Sequence, residues 1–215
     1  MDADSIVVNP ALSPAVFLPP EHLTHVYALV TADHNGLNNG VFFLRVHTAS
    51  VDLLTEVAAY PIHHPEEDLG WFGEQAAMAN VIEAKQNRSQ HLGEESGIVF
   101  VPRTWFNHYE FEHGFEGEPG SFMVHFAGLG ATRIDHMANW LTELHTNTAK
   151  WEIPLQDTVY NTSIPEFWAQ YSAKTVHSRR NYGESSGSEV GHDDGFVTAC
   201  RSLQRTALEA KRPLA

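Results

Sequence analysis

The sequence is poor in residues that cross-link a chain or anchor it in a membrane. Cys200 is the only cysteine among 215 residues, so no disulfide can form within the chain. No apolar run reaches the roughly 20 residues that a membrane-spanning helix needs. A disulfide framework is therefore excluded, and the redox compartment is left open.

Positively charged side chains are also scarce. Lysine and arginine number 13 against 27 aspartate and glutamate residues, which gives a formal net charge of −14. Such a surface repels nucleic acid and anionic membranes, so neither is an expected partner. Hydrophobic residues make up 42% of the chain, which is long enough for one domain with a substantial core.

Two carboxylates stand two residues apart near the start of the sequence. Asp2 and Asp4 directly precede the apolar run Ile6-Val7-Val8. In an extended segment, alternate residues point to the same side, so both carboxylates can reach one cation. Carboxylate oxygens suit Mg²⁺ or Mn²⁺, which often bridge protein carboxylates to phosphates. An Asp-x-Asp pair on its own is more often a solvated turn than a metal site.

The hydrophobic pattern predicts strands that alternate with helices, which favours an α/β fold. Strands are expected at residues 5–8, 26–30, 40–45, 98–101 and 122–126. Helices are expected at residues 47–60, 73–85, 136–145 and 165–173, and polar loops at 31–40 and 86–96. In the first helix, Pro61 would end the helix, and the core would receive Val51, Leu54, Val57 and Ala58.

Several segments carry a family resemblance when they are taken in order along the chain. They are Asp2-Ala3-Asp4 and residues 31–40, 69–75, 98–107 and 120–129. Together they resemble the family of fungal α-galactosyltransferases, mannan polymerase subunits and plant xyloglucan xylosyltransferases, over about residues 1–142. The resemblance, which looks like that of a fungal member, implies a retaining glycosyltransferase with the GT-A fold. It also implies a UDP-sugar donor, most simply of galactose, a glycan acceptor and Mn²⁺ (or Mg²⁺).

The resemblance places the metal ligands on Asp2, Asp4 and His125. His125 stands in Val124-His125-Phe126-Ala127-Gly128, which is similar to the family's His-Phe-x-Gly segment. A neutral imidazole is a reasonable third ligand beside two carboxylates. Without this context, a histidine near a strand end is more often a structural residue.

Glu74 and Gln75 resemble the family's acidic-Gln pair at the head of a helix, which implies catalytic roles for both. Glu74 would bind hydroxyls of the donor sugar, and Gln75 would stabilise positive charge near the anomeric carbon. An acidic residue is favoured in a first helical turn in any case, because of the helix dipole.

Further substrate contacts are expected from a second group of polar residues. Asn38, Asn39 and Gly40 resemble the family's Leu-Asn-x-Gly segment, although Asn-Gly also signals an ordinary turn. Asp33, just before them, would face the same cleft. Arg133 follows the His-Phe-x-Gly segment at a longer spacing than the family's usual basic residue and would pair with the departing phosphate.

The acceptor side is expected to involve an aromatic surface. Arg103, Trp105 and Asn107 stand in one of the resembling segments. A tryptophan face can stack on a sugar ring, although a tryptophan is more often part of a core.

The resemblance also predicts the organisation of the chain. Residues 1–145 would be the C-terminal part of a GT-A domain that starts at the Asp-x-Asp motif, since this motif normally follows a buried strand. Residues 146–215 would be a C-terminal extension, partly helical, with a short helix at 196–211, and partly mobile. Relatives of this kind imply a Golgi location and homo- or hetero-oligomers with other Golgi transferases.

Two other classes of function stay open on sequence grounds. A non-catalytic remnant of such a transferase would act as a binding or scaffold protein. A metal-dependent phosphohydrolase would also use an Asp-x-Asp pair, but it needs a lysine after a downstream strand. Lys85 and Lys150 are the only lysines before residue 174, and neither follows a clear predicted strand.

Overall fold

The computed structural model describes residues 1–92 and 94–184, with side chains as far as residue 174. This part of the chain is a mixed α/β protein in which helices flank two sheets. Its strands are β1 (Ser5–Val7), β2 (Ala28–Asp33), β3 (Gly36–Leu44), β4 (Ile98–Phe100), β5 (His108–Phe111), β6 (Gly114–Phe115) and β7 (Met123–His125). Its α-helices are α1 (Thr48–His63), α2 (Gly73–Leu92), α3 (Arg133–Thr146), α4 (Thr148–Trp151) and α5 (Tyr160–Glu184).

The chain divides into two units. The first comprises Met1–Leu23 and Val101–Ala173, and the second comprises Thr24–Phe100 together with the end of α5 from Lys174. The second unit is thus inserted in the sequence between the two parts of the first. The helix expected at residues 196–211 lies outside the described residues. Of the segment 178–194 that was predicted to be mobile, residues 178–184 are helical because they continue α5, and the rest lies outside the described residues. The domain boundary expected at residue 145 stays a prediction.

The first unit contains a four-stranded sheet in the order β1-β7-β5-β6. β1 pairs antiparallel with β7, so that Ser5 lies opposite His125. β5 pairs parallel with β7 and places Tyr109 opposite His125. Helices α3 and α4 contribute two tryptophans to a core cluster whose buried members are Val8, Val124, Phe126, Leu129, Trp140 and Trp151. This packing stabilises the two strands that carry the candidate metal ligands.

A second set of packed rings in the first unit centres on Phe17. Its ring centroid lies 5.2 to 6.0 Å from those of Trp105, Phe106, Phe122 and Tyr160. The Tyr160 hydroxyl accepts a hydrogen bond from the Phe122 backbone N–H and donates one to the Thr104 carbonyl, both at 3.1 Å. Burial raises the pKa of Tyr160 to about 12, which is consistent with a neutral phenol at this position. The start of α5 is thereby fastened to the strand segment that leads into β7.

The second unit contains a three-stranded sheet in the order β3-β2-β4. The central strand β2 has four successive buried residues at its start, as expected for a strand covered on both faces. Helices α1 and α2 cover this sheet with a core whose buried members are Ala28, Val30, Leu37, Leu53, Met78, Val81, Ile82 and Ile98. The residues expected to form a polar loop at 31–40 instead form a tight hairpin, since Asp33 pairs with Gly36 across two residues.

Helix α1 corrects two predictions. The helix continues past Pro61 to His63, because a proline in the last turn removes the partner of only one carbonyl. The predicted inward face is wrong for Val51 and Leu54, which are 63% and 44% exposed, and for Ala58, whereas Val57 packs against the core as expected. Ser50 and Leu53 face inward instead, and the Ser50 hydroxyl donates to the Arg45 carbonyl at 2.7 Å. That hydrogen bond fixes the rotation of the helix.

One further prediction differs from the structure, and one element was not predicted. Helix α2 extends to Leu92, so residues 86–92 are helical, because no glycine or proline interrupts them before Gly93. The hairpin of β5 and β6 was not predicted, because its strands of four and two residues are too short to show a clear alternating pattern. Among residues 1–92 and 94–184, no helix has the length and apolar character needed to cross a membrane.

Candidate active site

Asp2, Asp4 and His125 lie together in the first unit. One ligand atom from each residue lies within 4.8 Å of the other two. The Nε2 atom of His125 is 3.5 Å from Asp4 Oδ1 and 4.0 Å from Asp2 Oδ2. His125 is 3% exposed, whereas the Asp2 side chain is 60% exposed. The cluster is therefore buried on the side of His125 and open to solvent on the side of Asp2.

Strand pairing brings these residues together from distant parts of the sequence. Asp4 immediately precedes β1, and His125 is the last residue of β7. The Phe126 N–H donates to the Asp4 carbonyl at 2.9 Å, which extends the β1–β7 pairing by one residue. At the other end of β1, the buried Asn9 amide donates to the Gly120 and Ile153 carbonyls at 3.2 and 2.8 Å. Strand β1, which directly follows Asp4, is thus held at both ends.

The hydrogen bonding of His125 leaves its Nε2 atom directed at the carboxylates. Its Nδ1 atom lies 2.7 Å from Asn107 Oδ1, and an amide oxygen can only accept, so Nδ1 carries the proton. Burial lowers the pKa of His125, although the nearby Asp4 and Asp2 carboxylates oppose this shift. A neutral imidazole with a free Nε2 lone pair is the form that binds metal ions.

Arg133, at the start of α3, joins the cluster. Its Nη1 atom lies 3.1 Å from Asp4 Oδ2, while the other oxygen of Asp4 faces His125. The Arg133 side chain is 38% exposed, so part of the guanidinium stays open to solvent. The two carboxylates and the one guanidinium leave a single negative charge in excess.

The separations between His125 and the two carboxylates suit a small divalent cation. Ligand atoms about 2.1 Å from a common octahedral ion are separated by about 3 to 4.2 Å. The separations of 3.5 and 4.0 Å between His125 Nε2 and the carboxylate oxygens fall in this range. Two carboxylates and one imidazole are also a donor set that suits Mn²⁺ or Mg²⁺. The donor set and the two His125 separations are therefore compatible with the ion that the resemblance implies, and the presence of that ion stays a prediction.

The second unit holds the expected catalytic pair and most of the expected substrate residues. Glu74 and Gln75 lie in the first turn of α2, and Glu74 is exposed. The Gln75 Oε1 atom accepts a hydrogen bond from the Asn39 N–H at 3.3 Å. The structure therefore brings Gln75 together with the Asn38-Asn39-Gly40 segment.

The side chains of two other expected substrate residues in this unit accept hydrogen bonds from nearby backbone N–H groups. Asn38 is buried, and its Oδ1 atom accepts from the Gly40 N–H at 3.1 Å within strand β3. Asp33 stands at the tight turn of the β2–β3 hairpin, where Oδ1 accepts from the Asn35 N–H at 2.6 Å. These contacts shape the hairpin, and a role in substrate binding stays a prediction for both residues.

The residues expected on the acceptor side make structural contacts within the first unit instead. Trp105 is 2% exposed and packs in the ring cluster around Phe17, so it offers no face to a sugar. Arg103 pairs with Glu116 and covers the Tyr109 ring at 4.1 Å. Asn107 is fully buried against His125. Sequence reasoning missed this last contact because it depends on the pairing of β5 with β7.

Comparison with known proteins identifies the family. Residues 20–135, more than half of the chain, match the galactosyl transferase GMA12/MNN10 family. The chain belongs to this family, which confirms the resemblance and makes it a member of a glycosyltransferase family. No curated protein and no solved structure matches the chain. The matched range includes His125, Arg133 and the Glu74-Gln75 pair, whereas Asp2 and Asp4 precede it.

Proposed function

We propose that this protein transfers a hexose, most simply galactose, from a UDP-sugar to a glycan acceptor with retention of configuration and with Mn²⁺ as cofactor. Its membership of a galactosyltransferase family supports the class of reaction. The observation that carries the finer proposal is the convergence of Asp2, Asp4 and His125 within 4.8 Å of one another. A GT-A arrangement of the complete site and a Golgi location are part of the same proposal.

The charge of the cluster supports a role for a divalent cation. Asp2, Asp4 and Arg133 together carry a net charge of about −1. Without a cation, this net negative charge repels a diphosphate. A bound Mn²⁺ would reverse the sign of the cluster and stabilise the charge that develops on the leaving UDP. Arg133 is close enough to Asp4 to offer its exposed N–H groups to a phosphate oxygen beside the ion.

The proposed bond changes occur on one face of the donor sugar. The bond between the anomeric carbon and the phosphate oxygen breaks, and a bond to the acceptor oxygen forms on the same face. The acceptor hydroxyl proton passes to the departing phosphate. In this scheme the amide oxygen of Gln75 lies near the anomeric carbon and stabilises its positive charge, while Glu74 binds donor-sugar hydroxyls. The hydrogen bond from Asn39 holds the Gln75 amide in one orientation.

Calorimetric titration with UDP, with and without Mn²⁺, tests the donor site. We expect binding that requires Mn²⁺ and is lost in Asp4→Ala and His125→Ala. Asp157→Ala removes an exposed carboxylate of the same unit and serves as the matched control, with binding like that of the wild type. Equal UDP binding with and without Mn²⁺ would contradict the proposal.

Product analysis tests the reaction itself. Incubation with UDP-galactose, Mn²⁺ and a glycan acceptor should release UDP and form an α-glycosidic bond, detected by the anomeric proton in NMR spectra. A non-catalytic binding protein would bind UDP with Mn²⁺ but release none from the donor. A phosphohydrolase would release phosphate from simple phosphate esters, which we do not expect.

A further inference from the structure

Two large aromatic side chains stand exposed in the second unit. Trp71 is 93% exposed and Phe72 is 56% exposed, directly before α2. The other four tryptophans of the chain are at most 8% exposed. A tryptophan so fully open to water is uncommon in a folded protein and usually marks a contact surface.

An ordered turn presents these side chains. The Asp68 Oδ1 atom accepts from the Gly70 N–H at 2.9 Å, and Gly70 has a φ of +67°. The Phe72 carbonyl then accepts from the Ala76 N–H at 2.9 Å, which joins the turn to α2.

The residues before the turn are anchored as well. The Tyr60 hydroxyl of α1 donates to Glu67 Oε2 at 2.9 Å. The Asn80 amide of α2 donates to the same carboxylate at 3.2 Å and to the Tyr60 oxygen at 3.0 Å. Both helices therefore hold the segment at Glu67, four residues before Trp71.

The charges around the turn define the ligand chemistry. Four carboxylates flank the two aromatic rings within nine positions, namely Glu66, Glu67, Asp68 and Glu74. This surface repels anionic lipids and acidic polymers. Carboxylate oxygens accept hydrogen bonds from hydroxyl groups, and an indole face packs against the apolar C–H face of a pyranose ring. The ligand that fits both features is a neutral chain of hexoses.

We propose that Trp71, flanked by Phe72, is a stacking platform for a hexose ring of the acceptor glycan. The proposal rests on the transferase function proposed above and adds the acceptor subsite to it. Trp71 lies four residues before Gln75, the residue assigned to the donor sugar, so a glycan bound at the turn would lie near the start of α2, which carries that residue. Trp71 thus replaces the buried Trp105 as the aromatic residue of the acceptor side.

The burial of the other four tryptophans makes a direct binding test possible. Acrylamide quenches the fluorescence of exposed tryptophan, so most quenching in this protein should report on Trp71. We expect mannohexaose or cellohexaose to reduce the quenching constant at least twofold, and hexagalacturonate, a polyanion of similar length, to leave it unchanged. No protection by either neutral hexasaccharide, or equal protection by the anionic one, would overturn the proposal.

Variants separate this proposal from the transferase function. Trp71→Ala should raise the acceptor KM roughly tenfold. Trp71→Phe, which keeps an aromatic ring, should have an acceptor KM much closer to that of the wild type. Ile62→Ala removes an exposed apolar side chain of the same unit and should leave the acceptor KM unchanged. Transfer by the wild type with an unaltered KM in Trp71→Ala would refute the platform alone. Protection by neutral glycans without any transfer would refute the transferase function alone.

Discussion

Asn107 accepts a hydrogen bond from the Nδ1–H group of His125 at 2.7 Å, in a site where both side chains are buried. Because Asn107 directly precedes β5 and His125 ends β7, this contact joins neighbouring strands of the first sheet. It fixes both the tautomer and the ring orientation of a candidate metal ligand. Partners of this kind strengthen metal binding without touching the ion.

Replacement of Asn107 by alanine should weaken the metal site. We expect the affinity for UDP with Mn²⁺ to fall about 10- to 100-fold, because the imidazole loses its orienting partner. The free energy of unfolding should also fall by about 1 to 3 kcal/mol, since a buried N–H group is left unpaired. Calorimetry and urea unfolding measure these two effects. Asn139→Ala on the exposed face of α3 is the matched control, and unchanged UDP affinity in Asn107→Ala would disprove the orienting role.

Replacement of Asn9 by alanine should destabilise the first unit in the absence of any ligand. The Asn9 amide donates to two carbonyls, those of Gly120 and Ile153, and its oxygen accepts from the Ala11 N–H. Their loss should lower the free energy of unfolding by about 2 to 4 kcal/mol, as measured by urea titration. Asn161→Ala, at an exposed position in α5, should change the same quantity by less than about 0.5 kcal/mol. A similar effect of both substitutions would speak against this anchoring role.

Acid should destabilise the protein partly through His108. Burial lowers the pKa of His108 to about 4, below the value of about 6.5 for an unfolded chain. The unfolded state therefore binds the proton more readily, so this stability is present above about pH 6.5 and is lost as the pH falls towards 4. The full effect is at most about 3 kcal/mol. Urea unfolding at about pH 7 and pH 4.5 should show a smaller decline for His108→Leu than for the wild type, and an equal decline would contradict the assignment.

Two glycines with similar φ angles allow the cost of backbone strain to be separated from the cost of steric overlap. Gly97 has a φ of +69°, and a Cβ atom there would overlap the His25 carbonyl oxygen and the Tyr27 ring. Gly70 has a φ of +67°, with no atom within 4 Å of such a Cβ. Gly70→Ala should therefore cost about 1 kcal/mol from backbone strain alone. Gly97→Ala should cost at least about 3 kcal/mol, and equal thermal shifts for the two variants would rule out the overlap.

Sequence periodicity predicted the elements better than their partners. The strands around residues 5–8, 98–101 and 122–126 were expected, because apolar β-branched runs between turns are a local signal. The pairing of β1 with β7, and of β7 with β5, joins segments far apart in the sequence and has no local signature. For this reason the cluster of Asp2, Asp4 and His125 was proposed from resemblance, whereas the contact of His125 with Asn107 was not foreseen.

The tryptophans show the same limit at the level of single residues. Trp71 and Trp105 both lie in segments that carry the family resemblance, and each is followed directly by a phenylalanine. Only long-range packing against Phe17 and Phe167 buries Trp105, while Trp71 stays exposed. Asp33 is the opposite case, because its hydrogen bond to the Asn35 N–H is local, and Asp-x-Asn-Gly is a turn signal that can be identified without a structure.

The insertion of the second unit between the two parts of the first has a consequence for folding kinetics. Asn9 and Gly120, which fasten β1 beside β7, are separated by 111 positions along the chain. Closing a loop of that length is entropically unfavourable until the intervening residues have become compact. We therefore expect Asp2 and Asp4 to reach His125 late in refolding, after the hairpin of β2 and β3 has formed. Mn²⁺ binding, followed by fluorescence in a stopped-flow experiment, should then lag behind the recovery of secondary structure.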